Sequence, residues 1–310
     1  MTRLEELLEK TSRTFALSIP VLPEPTRRQV MIGYLLFRIA DTFEDAAHWP
    51  PGRRVKALRE FQGLLSGYSP GEAARLAALW TAANPSPNPG YRELIAEVPR
   101  VLEAFFALDE SAVSSLRAHV IRSAEGMAGF VERSRDGVLA LADTAALREY
   151  CYAVAGIVGE MLTDLFLLGR ETLAAIAPYL RERAAAFGEA LQLVNIVKDA
   201  ATDVAEGRSF LPRSVARPEI FALARGDLGV AREYTLALQR AGAPRGLVEF
   251  CALPAELAWA TLERVETRGP GSKVSRLEVF AIKQRVDRAL DRGEPAVGAH
   301  AEPSGESEKE

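Results

Sequence analysis

Apolar residues recur at three- and four-residue steps along almost the whole chain, and the two-residue alternation of half-buried strands is absent. Pro and Gly punctuate this pattern. The stretches between them predict helices at about 3–10, 25–47, 52–66, 71–83, 91–107, 111–134, 143–168, 172–204, 226–241, 245–265 and 274–291. Two segments break the periodicity: NPSPNPG at 84–90 and EGRSFLPRSVARP at 206–218. No internal stretch reads as a linker, so one all-α domain is expected over 1–291. A polar tail rich in Gly, Pro, Ser and Glu follows at 292–310 and is expected to be disordered.

With 310 residues, 48% of them hydrophobic, the chain can bury a large core. A formal charge of −4 offers no basic footprint for nucleic acid. Cys151 and Cys251 both lie in apolar stretches, without zinc spacing or a disulfide framework. This fits a reducing, cytoplasmic compartment, with Cys151 buried and inert. The start, MTRLEELLEK, reads as a charged helix and not as a signal peptide. The longest apolar run, 151–168, is interrupted by Glu160 and Asp164, so no membrane span is expected. His48, His119 and His300 show no ligand spacing.

Two polar stripes change this picture. In MIGYLLFRIADTFED (31–45), Tyr34, Arg38, Asp41 and Asp45 follow at steps of four, three and four, on one helix face. Ile32, Leu35, Leu36, Phe37, Ile39 and Phe43 occupy much of the remainder, so the carboxylates are expected in a largely buried setting. There they need a metal, a cation or a hydrogen-bond network. In LQLVNIVKDAATD (191–203), Gln192, Asn195, Asp199 and Asp203 form a second stripe, with Lys198 beside Asp199. Either stripe alone could be structural salt-bridging. Together they place four carboxylates where hard cations such as Mg²⁺ would neutralise them and an anion such as diphosphate would bridge.

The same segments resemble the squalene/phytoene synthase family of trans-prenyltransferases. Ser12-Arg13-Thr14-Phe15 looks like its N-terminal signature, and Tyr34-x3-Arg38-x2-Asp41-x3-Asp45 like its first aspartate-rich motif. Tyr150-Cys151-Tyr152-x-Val154-Ala155-Gly156-x-Val158-Gly159 looks like its central segment. Asn195-x2-Lys198-Asp199-x3-Asp203, followed by Gly207-Arg208-x-Phe210-x-Pro212, looks like the second motif and flap. The resemblance departs at Lys198, where the family usually has arginine. Lysine keeps the charge and loses the bidentate fork.

The resemblance implies an isoprenoid-synthase fold, a single helical domain around a central cavity, and head-to-head joining of two prenyl diphosphates. Asp41, Asp45, Asp199 and Asp203 would hold Mg²⁺, with Mn²⁺ able to replace it. Ser12, Thr14, Arg38, Asn195, Lys198 and Arg208 would contact diphosphate. Tyr150, then Tyr34, are the aromatic candidates for cation stabilisation. Val154, Gly156, Val158 and Gly159 would line the prenyl tail, although close helix packing explains the glycines equally well. The Arg-x2-Asp-Thr-x-Glu-Asp core looks closer to squalene than to phytoene synthases, which implies farnesyl diphosphate as substrate and NADPH as hydride donor. Dehydrosqualene or phytoene formation, an aromatic acceptor, and a non-catalytic helical scaffold are the alternatives. No obligate protein partner is implied, only transient membrane contact for product release.

Overall fold

The computed structural model of the chain describes residues 1–12, 14–134, 139–205, 209–212 and 214–300. The described residues are helical throughout, apart from loops and one isolated bridge between Ala140 and Ser209. The helices are α1 (Arg3–Thr11), α2 (Phe15–Ser18), α3 (Thr26–Glu44), α4 (Pro51–Ser66), α5 (Pro70–Ala82), α6 (Pro89–Ala96) and α7 (Val98–Phe106). They continue with α8 (Glu110–Arg133), α9 (Thr144–Cys151), α10 (Ile157–Leu167), α11 (Ala177–Ala205), α12 (Arg217–Arg240), α13 (Arg245–Arg268) and α14 (Arg276–Asp291). Their starts follow from local chemistry. Thr2 and Ser275 form capping boxes with Glu5 and Glu278. Ser69, Asn88 and Asp143 cap α5, α6 and α9 through their side chains.

Several boundaries differ from the periodicity, and at two of them a proline gives the reason. The segment expected as one helix over 91–107 divides at Glu97, because Pro99 opens a new helix in its first turn. Conversely, α12 begins at Arg217 rather than 226, with Pro218 in its first turn. The proline that marked an irregular segment is therefore a helix start.

Helix α3 runs through the main core, with Ile32, Leu35, Leu36, Ile39 and Phe43 fully buried. Helices α9 and α10 form one continuous rod joined by a π-helical turn over Tyr152–Gly156. By length and composition the rod, Thr144–Leu167, could cross a membrane. It lies instead at the centre of the bundle, packed against α8, α11 and α3. Its contact with α11 is backbone to backbone. A Cβ on Gly159 would sit 1.9 Å from the Ala184 carbonyl oxygen, and one on Gly188 would sit 2.0 Å from that of Ala155. Of the two explanations for Gly159, helix packing is the one this geometry supports. The space a side chain would fill is taken by α11 and cannot receive a prenyl tail.

The expected disordered tail begins too early. Residues 292–300 dock on the bundle, with Ala296 and Val297 buried and the His300 ring stacked on Trp259 at 4.5 Å. Glu256, almost wholly buried, accepts hydrogen bonds from the Gly298 amide and lies 3.2 Å from His300 Nε2. Burial opposes charge on Glu256, but His300, Gly298 and Arg285 outweigh it and hold its pKa down at about 2. Residues 301–310 lie outside the described part.

Candidate active site

The first acidic stripe emerges from the core side of α3. Arg38 and Asp41 form an ion pair at 3.3 Å. Each keeps about a quarter of its side chain accessible, 25% and 27%, although both are surrounded by protein. They therefore line a recess and not the outer surface. Tyr34 fixes one side of Arg38: its hydroxyl donates to the Thr11 carbonyl at 2.7 Å and accepts from Arg38 Nε at 3.3 Å. Tyr34 is thus a positioning group with its hydroxyl already committed. The Arg38 guanidinium lies 5.6 Å from the Tyr34 ring and 5.3 Å from that of Tyr91. Burial works against the charge on Arg38, yet Asp41, Tyr34 and Tyr91 raise its pKa overall. Asp41 is pushed up to about 6, because burial and the neighbouring Asp45 outweigh Arg38.

The Thr11 contact also brings the N-terminal signature to this recess, with the Phe15 and Tyr34 rings 5.6 Å apart. Ser12 Oγ accepts from the Phe15 amide at 2.9 Å, starting α2. The Thr14 side chain makes no capping bond. Arg13 is not among the described residues.

The second stripe lies on α11 and is more open. Lys198 Nζ donates to Asn195 Oδ1 at 2.9 Å and pairs with Asp199 Oδ2 at 3.1 Å. Asp199 is 39% accessible and Asn195 is exposed. The backbone at Lys198 is tied by the Gly271 amide, which donates to its carbonyl at 2.7 Å. Asp203 lies on the same helix, already engaged with neighbours. The expected diphosphate contact Arg208 falls outside the described residues.

Tyr150, at the end of α9, links the two stripes. It shares a buried cluster with Leu193, Val194 and Val197 of α11. Its ring meets Phe130 edge-on at 5.1 Å and stacks on Phe210 at 4.7 Å. Ser209, next to Phe210, is held by its amide donating to the Leu139 carbonyl at 2.9 Å. Burial, then the charges of Glu44, Asp45 and Asp41, drive the Tyr150 pKa well above its ordinary value, so the phenol stays neutral. Val154 and Val158 keep partial exposure on a different face of the rod from Gly159.

This arrangement matches known proteins over most of its length. The profile of squalene/phytoene synthases fits residues 8–220. The chain belongs to the squalene/phytoene synthase family. It is 29% identical to squalene synthase ERG9 of Candida albicans over 286 residues, covering 86% of this chain and 62% of that protein. To the squalene synthase of Yarrowia lipolytica it is 33% identical over 222 residues, covering 69% of this chain and 46% of the other. The chain thus spans about three-fifths or less of these relatives' length. Among solved structures, a complex of TcSQS with the ligand E5700 superposes with a TM-score of 0.75 at 24% identity, covering 94% of this chain and 87% of the other. A dehydrosqualene synthase complex superposes at 0.62 with 20% identity, covering 93% and 95%. The fold is therefore the all-α isoprenoid-synthase fold of these proteins.

For a squalene/phytoene synthase family member, the donor set fits Mg²⁺. Among the described residues no three carboxylate, histidine or cysteine side chains already form a metal cage. Mg²⁺ needs no such cage, since it commonly takes one or two carboxylates and completes its shell with water and substrate phosphate. The raised Asp41 pKa marks a carboxylate that burial, more than the neighbouring Asp45, leaves costly to charge despite Arg38.

Sequence reasoning missed Tyr91 and the Arg148 cluster. Tyr91 lies in the first turn of α6, 53 residues from its Arg38 partner, and no spacing joins them. Arg148, two residues before Tyr150, bridges Glu189 of α11 and Asp227 of α12 at 2.9 Å each. Burial raises the pKa of both carboxylates against the pull of Arg148. Only the polar residues on otherwise apolar faces hinted at this triad. Cys151 beside it is buried and its thiol is pushed far up by burial, then by Glu189 and Asp227, which leaves it unreactive.

Proposed function

We propose that the protein joins two prenyl diphosphates head to head, converting two farnesyl diphosphates to presqualene diphosphate and then to squalene. The observation that carries this reading is the setting of Tyr150: a neutral buried phenol that feels the charges of the first acidic motif, with Phe210 and the apolar face of the second motif packed on it. Two carboxylate pairs suit two diphosphates, and an apolar wall between them suits two hydrocarbon chains.

Mg²⁺ held by Asp41, Asp45, Asp199 and Asp203 would supply Lewis-acid neutralisation of the departing diphosphate. The chain does the rest. Arg38, held between Tyr34 and Tyr91, presents a fixed guanidinium to one diphosphate. Lys198, steered by Asn195, offers a point charge to the other. Ser12, Thr14 and Arg208 complete the polar rim. Allylic C–O cleavage leaves a cation, which the double bond of the second chain attacks; proton loss closes the cyclopropane. Tyr150 and its stacked aromatics face this cation and exclude water. As a neutral phenol, Tyr150 presents no anion that would trap the cation covalently. Loss of the second diphosphate and rearrangement leave a further cation, and NADPH would supply the hydride chemistry needed to reduce it to squalene.

The test is product analysis with farnesyl and geranylgeranyl diphosphates, with Mg²⁺ or Mn²⁺, and with or without NADPH. Squalene from the shorter substrate, dependent on NADPH, is expected. Phytoene from the longer substrate without reductant dependence would reassign the product. No hydrocarbon from either would overturn the reading.

A further inference from the structure

Two tyrosines flank the Arg38 guanidinium, and they differ in what their hydroxyls do. The Tyr34 hydroxyl is bonded to the Thr11 carbonyl at 2.7 Å and to Arg38 Nε at 3.3 Å. The Tyr91 ring lies 5.3 Å from the guanidinium, but among the described residues its hydroxyl bonds to nothing. Tyr91 is partly buried and firmly placed. Asn88 caps the start of α6. Gly90 then lets α6 close on the end of α1, where a Cβ would stand 2.7 Å from the Lys10 carbonyl oxygen. Lys10 pairs with Glu93 at 2.7 Å, and Arg3 with Glu93 and Glu97 at 2.7 and 3.0 Å. The end of α1 thus holds both tyrosines, one through Thr11 and the other through the neighbour of Gly90. Burial raises the Tyr91 pKa, Arg38 lowers it, and Tyr34, Asp41 and Asp45 raise it again. The net shift is upward, so the phenol keeps its proton and remains a donor beside the first acidic motif.

We infer that Tyr91 is a substrate-binding residue whose hydroxyl donates a hydrogen bond to the diphosphate at the first acidic motif. The inference rests on the proposed diphosphate chemistry and adds a neutral donor to it. Arg38 offers donors only, so it cannot accept from this hydroxyl. With Asp41 and Asp45 committed to Mg²⁺, the diphosphate oxygens are the acceptors left for it in the recess. The two tyrosines then divide the work around Arg38. Tyr34 ties the guanidinium to the protein, and Tyr91 holds it by the ring face while its hydroxyl meets the ligand.

Titration calorimetry with inorganic diphosphate and Mg²⁺ reads this contact without turnover. Tyr91→Phe keeps the ring over Arg38 and removes only the hydroxyl. It should weaken diphosphate binding about ten-fold, since the lost bond is made to a charged oxygen. It should also raise KM for farnesyl diphosphate and melt as the parent does. Tyr34→Phe, which loses the bond to the Thr11 carbonyl, should instead lower the melting temperature. If the parent binds diphosphate and Tyr91→Phe binds it equally well, the inference falls while the proposed function stands. A parent that binds no diphosphate with Mg²⁺ would overturn both. Weaker binding by Tyr91→Phe accompanied by a lower melting temperature would also overturn the inference, because it would assign the hydroxyl to the fold.

Discussion

The two acidic helices carry nearly the same stripe and hold it at different cost. On α3 the stripe rises out of the main core: Ile39, Ala40, Thr42 and Phe43 around it are buried, and Arg38 is gripped by two tyrosines. On α11 the stripe faces more open space, and Lys198 pairs with residues of its own helix, Asn195 and Asp199. The fold therefore fixes the first charge constellation in advance and carries a charged, partly desolvated Asp41 in doing so. The second is cheap to hold and freer to adjust to substrate. Equal spacing in sequence thus conceals a rigid half and an adaptable half.

The largest effect should fall on both halves alike. Asp41→Asn and Asp199→Asn should each lower turnover of farnesyl diphosphate by about 10²–10³-fold, because each removes a hard oxygen donor. Near-normal turnover of either at saturating Mg²⁺ would break the pairing of the two helices. Next is the spacing between them. Gly159→Ala must push α11 away from the central rod, with an expected loss of about 3 kcal/mol in thermal or denaturant unfolding. Gly129→Ala, where a Cβ meets nothing within 4 Å, is the control and should be neutral or stabilising.

Stability against pH should then separate the halves. The pKa of Asp41 rises from 3.8 to about 6 on folding, so the folded state binds more protons between those values. Stability should therefore fall as pH rises from about 4 to 6, and the penalty should persist at neutral pH. In metal-free buffer at neutral pH, Asp41→Asn should be more stable than the parent by about 1–3 kcal/mol, and the difference should vanish below about pH 4. Asp199 keeps 39% of its side chain accessible, so Asp199→Asn should relieve less desolvation and gain less stability than Asp41→Asn. An equal gain would contradict the contrast.

The smallest effect concerns the two cations. Lys198→Arg should stay within a few-fold of parental activity and Lys198→Ala should lose about ten-fold, whereas Arg38→Lys should cost more than Lys198→Arg. Lysine cannot satisfy a pocket shaped by two aromatic faces. Equal activity of all three Lys198 proteins would mean that the residue does not meet diphosphate.

Much of this was legible in the sequence, because helical periodicity and proline placement are local signals. The limits of α4, α5 and α14 fall within a residue or two of those read from the pattern. The stripes were legible for the same reason. What was not legible depends on distant partners. Tyr91 finds Arg38 only through packing of α6 on α3. The π-helical turn at Tyr152–Gly156 leaves the apolar pattern unchanged. The segment 292–300 has too few apolar residues to announce itself, yet Val297 and His300 find ready-made partners on α13.

The most direct measurement is the ratio of diphosphate released to hydrocarbon formed in a single incubation with farnesyl diphosphate, Mg²⁺ and NADPH. If both acidic helices serve one head-to-head reaction, two diphosphates should appear for each squalene. One diphosphate per prenyl product, or release without a joined hydrocarbon, would contradict the shared site.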